Sequence, residues 1–268
     1  MEQIKEVRGS LMMASWSLLA REWLRFLRQR NRLIGALATP LLFWAFFGAG
    51  FGNSFNAPGS ARGMDYMTYF FPGTLMLVVL FTAIFSSISI IEDRNQGFLQ
   101  GVLVAPVSRL AIVLGKVLGS ASLGFVQGVL LLMVAPLVGM EFTPHQFMVA
   151  ALEIMLIAFS LSGLGFLLAW RMDSVQGFHA MMNLLLFPMW LLSGALFPLA
   201  GAQGWMQGLM LANPLTYGLG ALRHTLYAPG VADSLGDPNP ASSVGVLLGF
   251  TVLVLALAVW AVNRPLKK

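Results

Sequence analysis

The side chains able to do chemistry are few and scattered. His145, His179 and His224 stand far apart and lack carboxylates at ligand spacing, so they do not read as a zinc site, and no His-Glu-x-x-His run occurs. Cysteine is absent, which removes thiol chemistry, disulfides and zinc fingers. Gly115-Lys116 has the ending of a phosphate-binding loop, but Val117 follows and no glycine stands five residues before Gly115. Ser162 and Ser193 are candidate nucleophiles with His179 or His224 as base. A serine needs its base within hydrogen-bond reach, and Ser162 and His179 fall on different apolar segments. Glu153 sits inside an apolar stretch, where a central carboxylate costs about 2.5–3.5 kcal/mol. It lines a path between the apolar segments, pairs with Arg223 or His224, or holds helices together near the surface.

The elements that must position these groups are apolar. Of 268 residues, 57% are hydrophobic and only 10% charged, with mean hydropathy +0.78; soluble domains carry about 25% charged residues. The expected class is an all-α, polytopic membrane protein with six transmembrane helices, at 33–51, 69–91, 110–137, 147–170, 177–197 and 244–262. Together they form a single transmembrane domain and leave no room for a soluble catalytic one. The net charge of +5 would suit a nucleic-acid binder, but the basic residues flank the apolar runs, so no nucleic-acid partner is expected. The apolar patch at 11–14 is too short for a secretory signal.

Within residues 1–32, Trp16, Leu19, Trp23, Phe26 and Leu27 recur at helical spacing opposite Arg21, Arg25, Arg28 and Arg32. This predicts an N-terminal amphipathic helix on the membrane surface, with Trp as anchor and Arg reaching to water. Residues 92–109 join charges (Glu92, Asp93, Arg94) to an apolar patch (Phe98, Leu99, Val102, Leu103, Val104) and a stop at Pro106. A short helix here would plug into a cytoplasmic partner; the plain alternative is a connecting loop. Residues 198–243 are broken by Gly, Asn213 and Pro214 and predict a re-entrant helical segment before the last span. All but Arg62 and Arg223 of the sixteen Lys and Arg fall on one side, which places both termini in the cytoplasm. Gln127 reads as glue between helices, and Gly115-xxx-Gly119 and Gly124-xxx-Gly128 mark opposite, closely packed faces of the third span. Pro188 predicts a kink in the fifth.

The run EDRNQGFLQGVLVAPVSRLAIVLGK resembles the signature region of the ABC type-2 permeases, the membrane subunits of ATP-binding-cassette exporters. Gly97, Leu103, Pro106, Ser108, Arg109, Gly115 and Lys116 fit the pattern, while Gln100 stands where the family usually carries an acidic residue. Ser193, Gly194, Phe197 and Pro198 match a second landmark that ends the fifth span, and Asn213, Pro214 and Tyr217 match its continuation in re-entrant helices before the last span. The resemblance implies two paired permease chains, as a homodimer in the inner membrane. Each would dock on a cytoplasmic ABC ATPase that uses ATP and magnesium; this chain would bind no cofactor and be no enzyme. Glu92, Arg94, Gly97, Gln100, Leu103, Pro106 and Arg109 would couple to the ATPase. A hydrophobic, drug-like substrate would be exported. A glycolipid or polysaccharide permease, an intramembrane enzyme and a passive membrane subunit are the alternatives.

Overall fold

The computed structural model describes residues 2–51, 64–105 and 107–264; Pro106 and Arg62 lie outside them. The described residues form helices and no strands. Six helices are long and apolar enough to cross a membrane, so the chain is a multi-pass membrane protein.

Helix α1 (Glu2–Arg28) turns at Gln29 into α2 (Arg30–Phe51), and α3 (Tyr66–Asn95) follows. Asp65 caps α3 by accepting from the Thr68 amide at 3.1 Å, satisfying one of the amides a helix start leaves open. Helix α3 is the axis of the bundle. Its most apolar stretch is 89% buried, against 17% for α2, whose Leu41, Leu42 and Phe46 face outward. An apolar outward face suits lipid as solvent. The short α4 (Phe98–Val104) leads to α5 (Arg109–Leu132).

Helix α5 is gripped on both sides, as its glycine spacing predicts. Gly119 meets Leu19 and Glu22 of α1, whereas Gly128 meets Val79 of α3 and Ile154 of α6. Helix α5 ends earlier than the predicted span because Pro136 follows and cannot donate to a helical carbonyl; a 3-10 turn, Ala135–Val138, takes over. Helix α6 (Pro144–Trp170) opens on a capping box between Thr143 and Gln146.

Helix α7 (Val175–Trp190) widens after Pro188 into a π turn, Leu191–Ala195. Gly194 there has φ 93, a left-handed conformation that only glycine adopts freely. The segment before the last span forms α8 (Gly204–Leu211), α9 (Pro214–Leu226) and α10 (Val231–Ser234). Helix α9 packs against α6 and α11. Asn239 caps α11 (Pro240–Asn263), which begins with proline at its first position.

Candidate functional site

The last turn of α3 carries Glu92, Asp93 and Arg94, so these charges extend the membrane helix rather than opening a loop. Asp93 is fully buried and accepts four hydrogen bonds. Arg21 donates through Nη1 and Nη2 at 2.6 and 2.7 Å, Arg25 through Nη1 at 2.7 Å, and Lys116 through Nζ at 2.5 Å. Lys116 also pairs with Glu22 and donates to Ser89 Oγ at 3.2 Å, and Arg25 Nη2 lies 3.3 Å from Glu92. Arg21, Arg25 and Lys116 thus meet Glu22, Glu92 and Asp93 in a balanced set from α1, α3 and α5. Buried charge persists only when paired and hydrogen-bonded. Donating to the Asp93 carboxylate raises the already high pKa of Arg21.

The same end holds α4 and α6. Gly97, at φ 75, turns the chain sharply out of α3. Phe98 then lies beneath the Arg21 guanidinium, 3.7 Å from its ring centroid, and Leu99 is buried. Gln100, Gly101 and Val104 face outward, Val104 at 87% exposure. Arg94 donates to the carbonyls of Trp170 and Met172, the latter at 3.0 Å, and so holds the end of α6. Above the network, α3 and α5 share a polar seam. Ser120 donates to Ser86 at 2.6 Å and Thr82 to Gln127 Oε1 at 2.5 Å.

The opposite end of α3 holds a different arrangement. Arg223 of α9 is fully buried, 3.2 Å from Asp237, and donates to the Gly194 carbonyl at 2.9 Å. Its guanidinium lies 4.4 Å from the Tyr69 ring centroid. Tyr69 Oη donates to the same carbonyl at 2.7 Å, and Tyr227 Oη to the Tyr69 carbonyl at 2.9 Å. Asn213 caps α9 through the Leu215 amide and donates to the Met189 carbonyl at 2.5 Å. The irregular backbone after α7 is thereby fastened to α3 and α9, which a broken helix inside a bundle requires.

Residues 13–227 match the family model described as ABC-2 type transporter. The chain belongs to the ABC-2 type transporter family. It is 28% identical over 241 residues to the inner membrane transport permease YadH of Escherichia coli, covering 88% of this chain and 89% of that one. It is 28% identical over 210 residues to the putative transport permease ycf38 of Cyanophora paradoxa, covering 77% and 71%. Nodulation protein J of Sinorhizobium fredii is 26% identical over 236 residues, covering 87% and 86%.

In this ABC-2 permease, the residues named from sequence fall into distinct places. Arg21, Arg25 and Glu92 join one network, Arg94 ties α3 to α6, and Gly97 forms the turn between α3 and α4. Leu103 is half-buried, Gln100 and Arg109 are exposed, and Ser108 caps α5 through the Ala111 amide. The basic face of α1 differs from expectation. Arg21 and Arg25 turn inward to Asp93, because a buried carboxylate outbids water for them; Arg28 stays exposed. Trp23 donates to Ser122 Oγ at 2.7 Å and Phe26 is buried, whereas Trp16, Leu24 and Leu27 are exposed. For Glu153 the pairing with Arg223 is not formed, and the reading as a link between helices fits: it joins α6 to α9. Its partner is the Thr225 hydroxyl at 2.9 Å, Arg223 being engaged by Asp237. Tyr217 Oη donates to the Leu211 carbonyl at 2.9 Å. Sequence reasoning passed over Glu22, Asp237 and the central role of Asp93. One signal was available. Thr82, Ser86, Ser89 and Asp93 repeat at spacings of four, three and four, a polar stripe on one helix face.

Proposed function

We propose that this chain is the permease subunit of an ATP-binding-cassette exporter in the inner membrane, with both termini in the cytoplasm. Two copies pair, and each docks on a separate ATPase subunit that hydrolyses ATP with magnesium. A hydrophobic or amphipathic, drug-like substrate leaves the cytoplasm or inner leaflet through the paired permeases.

The observation that carries this reading is the position of α4. It presents Gln100 and Val104 outward while Phe98 and Leu99 hold it to the bundle. Its neighbours Arg21, Arg25 and Asp93 connect α1, α3 and α5. A push on α4 therefore reaches three helices through paired charges rather than through a slack loop. The basic flanks support the orientation, with α4 on the side that holds most of the Lys and Arg.

The test is co-purification of the full chain with its co-expressed ABC ATPase, followed by ATP turnover in proteoliposomes. Val104→Asp changes a side chain that the fold leaves exposed, so insertion and monodispersity are expected to survive. Capture and transport-linked turnover should fall at least tenfold. Undiminished capture by Val104→Asp would remove α4 as the docking element. A correctly inserted wild-type chain that captures no ABC ATPase would remove the exporter reading.

A further inference from the structure

Helices α6, α7 and α11 meet at the end of the bundle that carries the charged network, and between them runs a groove of about 400 Å³. Leu168, Met181 and Leu257 are among its apolar walls, and Arg171 and Trp260 also line it. Two guanidiniums stack on that one indole. Arg264 lies 4.0 Å from the Trp260 ring and Arg171 5.9 Å. Among the described residues neither arginine makes an ion pair. Asp173, two residues after Arg171, has its carboxylate on Arg94 at 3.4 Å.

Arg171 follows the last turn of α6, where a cation commonly serves the open carbonyls. Here Arg94 already takes the Trp170 and Met172 carbonyls, so Arg171 is spare for another anion. Both arginines sit where a membrane helix ends, and tryptophan at that depth marks the boundary between acyl chains and headgroups. Arginine suits phosphate because its planar fork donates in pairs.

We propose that this groove binds an anionic phospholipid. Its phosphate lies between Arg171 and Arg264, and one acyl chain runs along Leu168, Met181 and Leu257. A zwitterionic lipid fits the apolar walls equally well but brings its own cation against the two arginines. The site depends on the six spans alone and is independent of the ATPase and of the substrate.

The test is native mass spectrometry of the full chain in detergent, titrated with phosphatidylglycerol or with phosphatidylcholine of the same acyl chains. Phosphatidylglycerol should bind at least tenfold more tightly. Arg171→Gln with Arg264→Gln should weaken it about twenty-five-fold, at about fivefold per basic residue. Leu257→Trp, which fills the groove and keeps both charges, should also lose the lipid, and it decides the matter if the double variant does not fold. Arg28→Gln with Arg30→Gln removes the same charge from exposed positions and should bind normally. Equal binding of the two lipids overturns the proposal. So does an equal loss in the Arg28/Arg30 control, which would mean diffuse attraction. Full competition by glycerophosphoglycerol, the headgroup without chains, would make it a bare phosphate site and overturn the lipid assignment.

Discussion

The two ends of α3 both bury arginine, and they do so in opposite ways. At the α4 end, three cations share three carboxylates, and Asp93 alone takes four hydrogen bonds. At the α9 end, Arg223 has one carboxylate, Asp237, and one carbonyl, that of Gly194. The first set is redundant: one pairing can loosen while the buried charge stays matched. The second is a single lock on an irregular backbone, with tyrosines closing it in. On the proposed drive through α4, the α4 end must rearrange without exposing a bare charge, and the far end must hold its broken helix fixed.

The comparison breaks most severely at Asp93. Asp93→Asn leaves Arg21, Arg25 and Lys116 facing one another with their shared anion gone. Removing one partner from a buried charge set costs about 3–5 kcal/mol, so the melting temperature in detergent should fall sharply. Arg21→Gln alone should cost about 1 kcal/mol or less, because its side chain is 32% exposed and Asp93 keeps Arg25 and Lys116. Combining the two restores the charge balance and should recover part of the loss. Strict additivity in that double variant would show that the pairings act independently and that the network is not redundant.

At the far end, Arg223→Met strands Asp237 and should cost about 3 kcal/mol. The damage should be local, as faster amide exchange over 191–237 with the α4 end protected as before. Arg223→Met with Asp237→Leu removes both charges and should regain most of the stability, since an apolar pair can replace a buried ion pair. A double variant as unstable as the single would move the lock from the ion pair to the Gly194 carbonyl and the tyrosine ring.

How much of this was legible in the sequence follows from the range of the forces involved. The six spans and the extra helices before the last one follow from local apolar runs and from breakers such as Pro136 and Pro214. The glycine pairs of α5 gave its two close faces because helical angle is a local property. Glu22 and Asp237 were not legible. Each looks like an ordinary charge until a distant helix folds over it, as α1 does across α5. The bond from Thr225 to Glu153 was not legible for a related reason. Positions 223 and 225 of α9 point about 200° apart, so Thr225 faces α6 while Arg223 faces the break after α7.

The smallest effect sharpens the comparison from the middle of α3. Thr82 Oγ1 donates to Gln127 Oε1 at 2.5 Å and lies 2.8 Å from the Val78 carbonyl, while Gln127 Nε2 has no partner among the described residues. Hydrogen bonds between membrane helices are worth about 0.6 kcal/mol on average, and an unmatched buried amide offsets part of that gain. Gln127→Leu should therefore change stability by less than about 0.5 kcal/mol, and a cycle with Thr82→Val should show coupling no larger than about 0.6 kcal/mol. That outcome makes Gln127 glue along the seam that runs through Ser86 and Ser120 to the charged end. A Gln127→Leu variant of unchanged stability that nevertheless loses transport would give the residue a different role. It would then touch what is carried, and the path would run beside α5 rather than away from it.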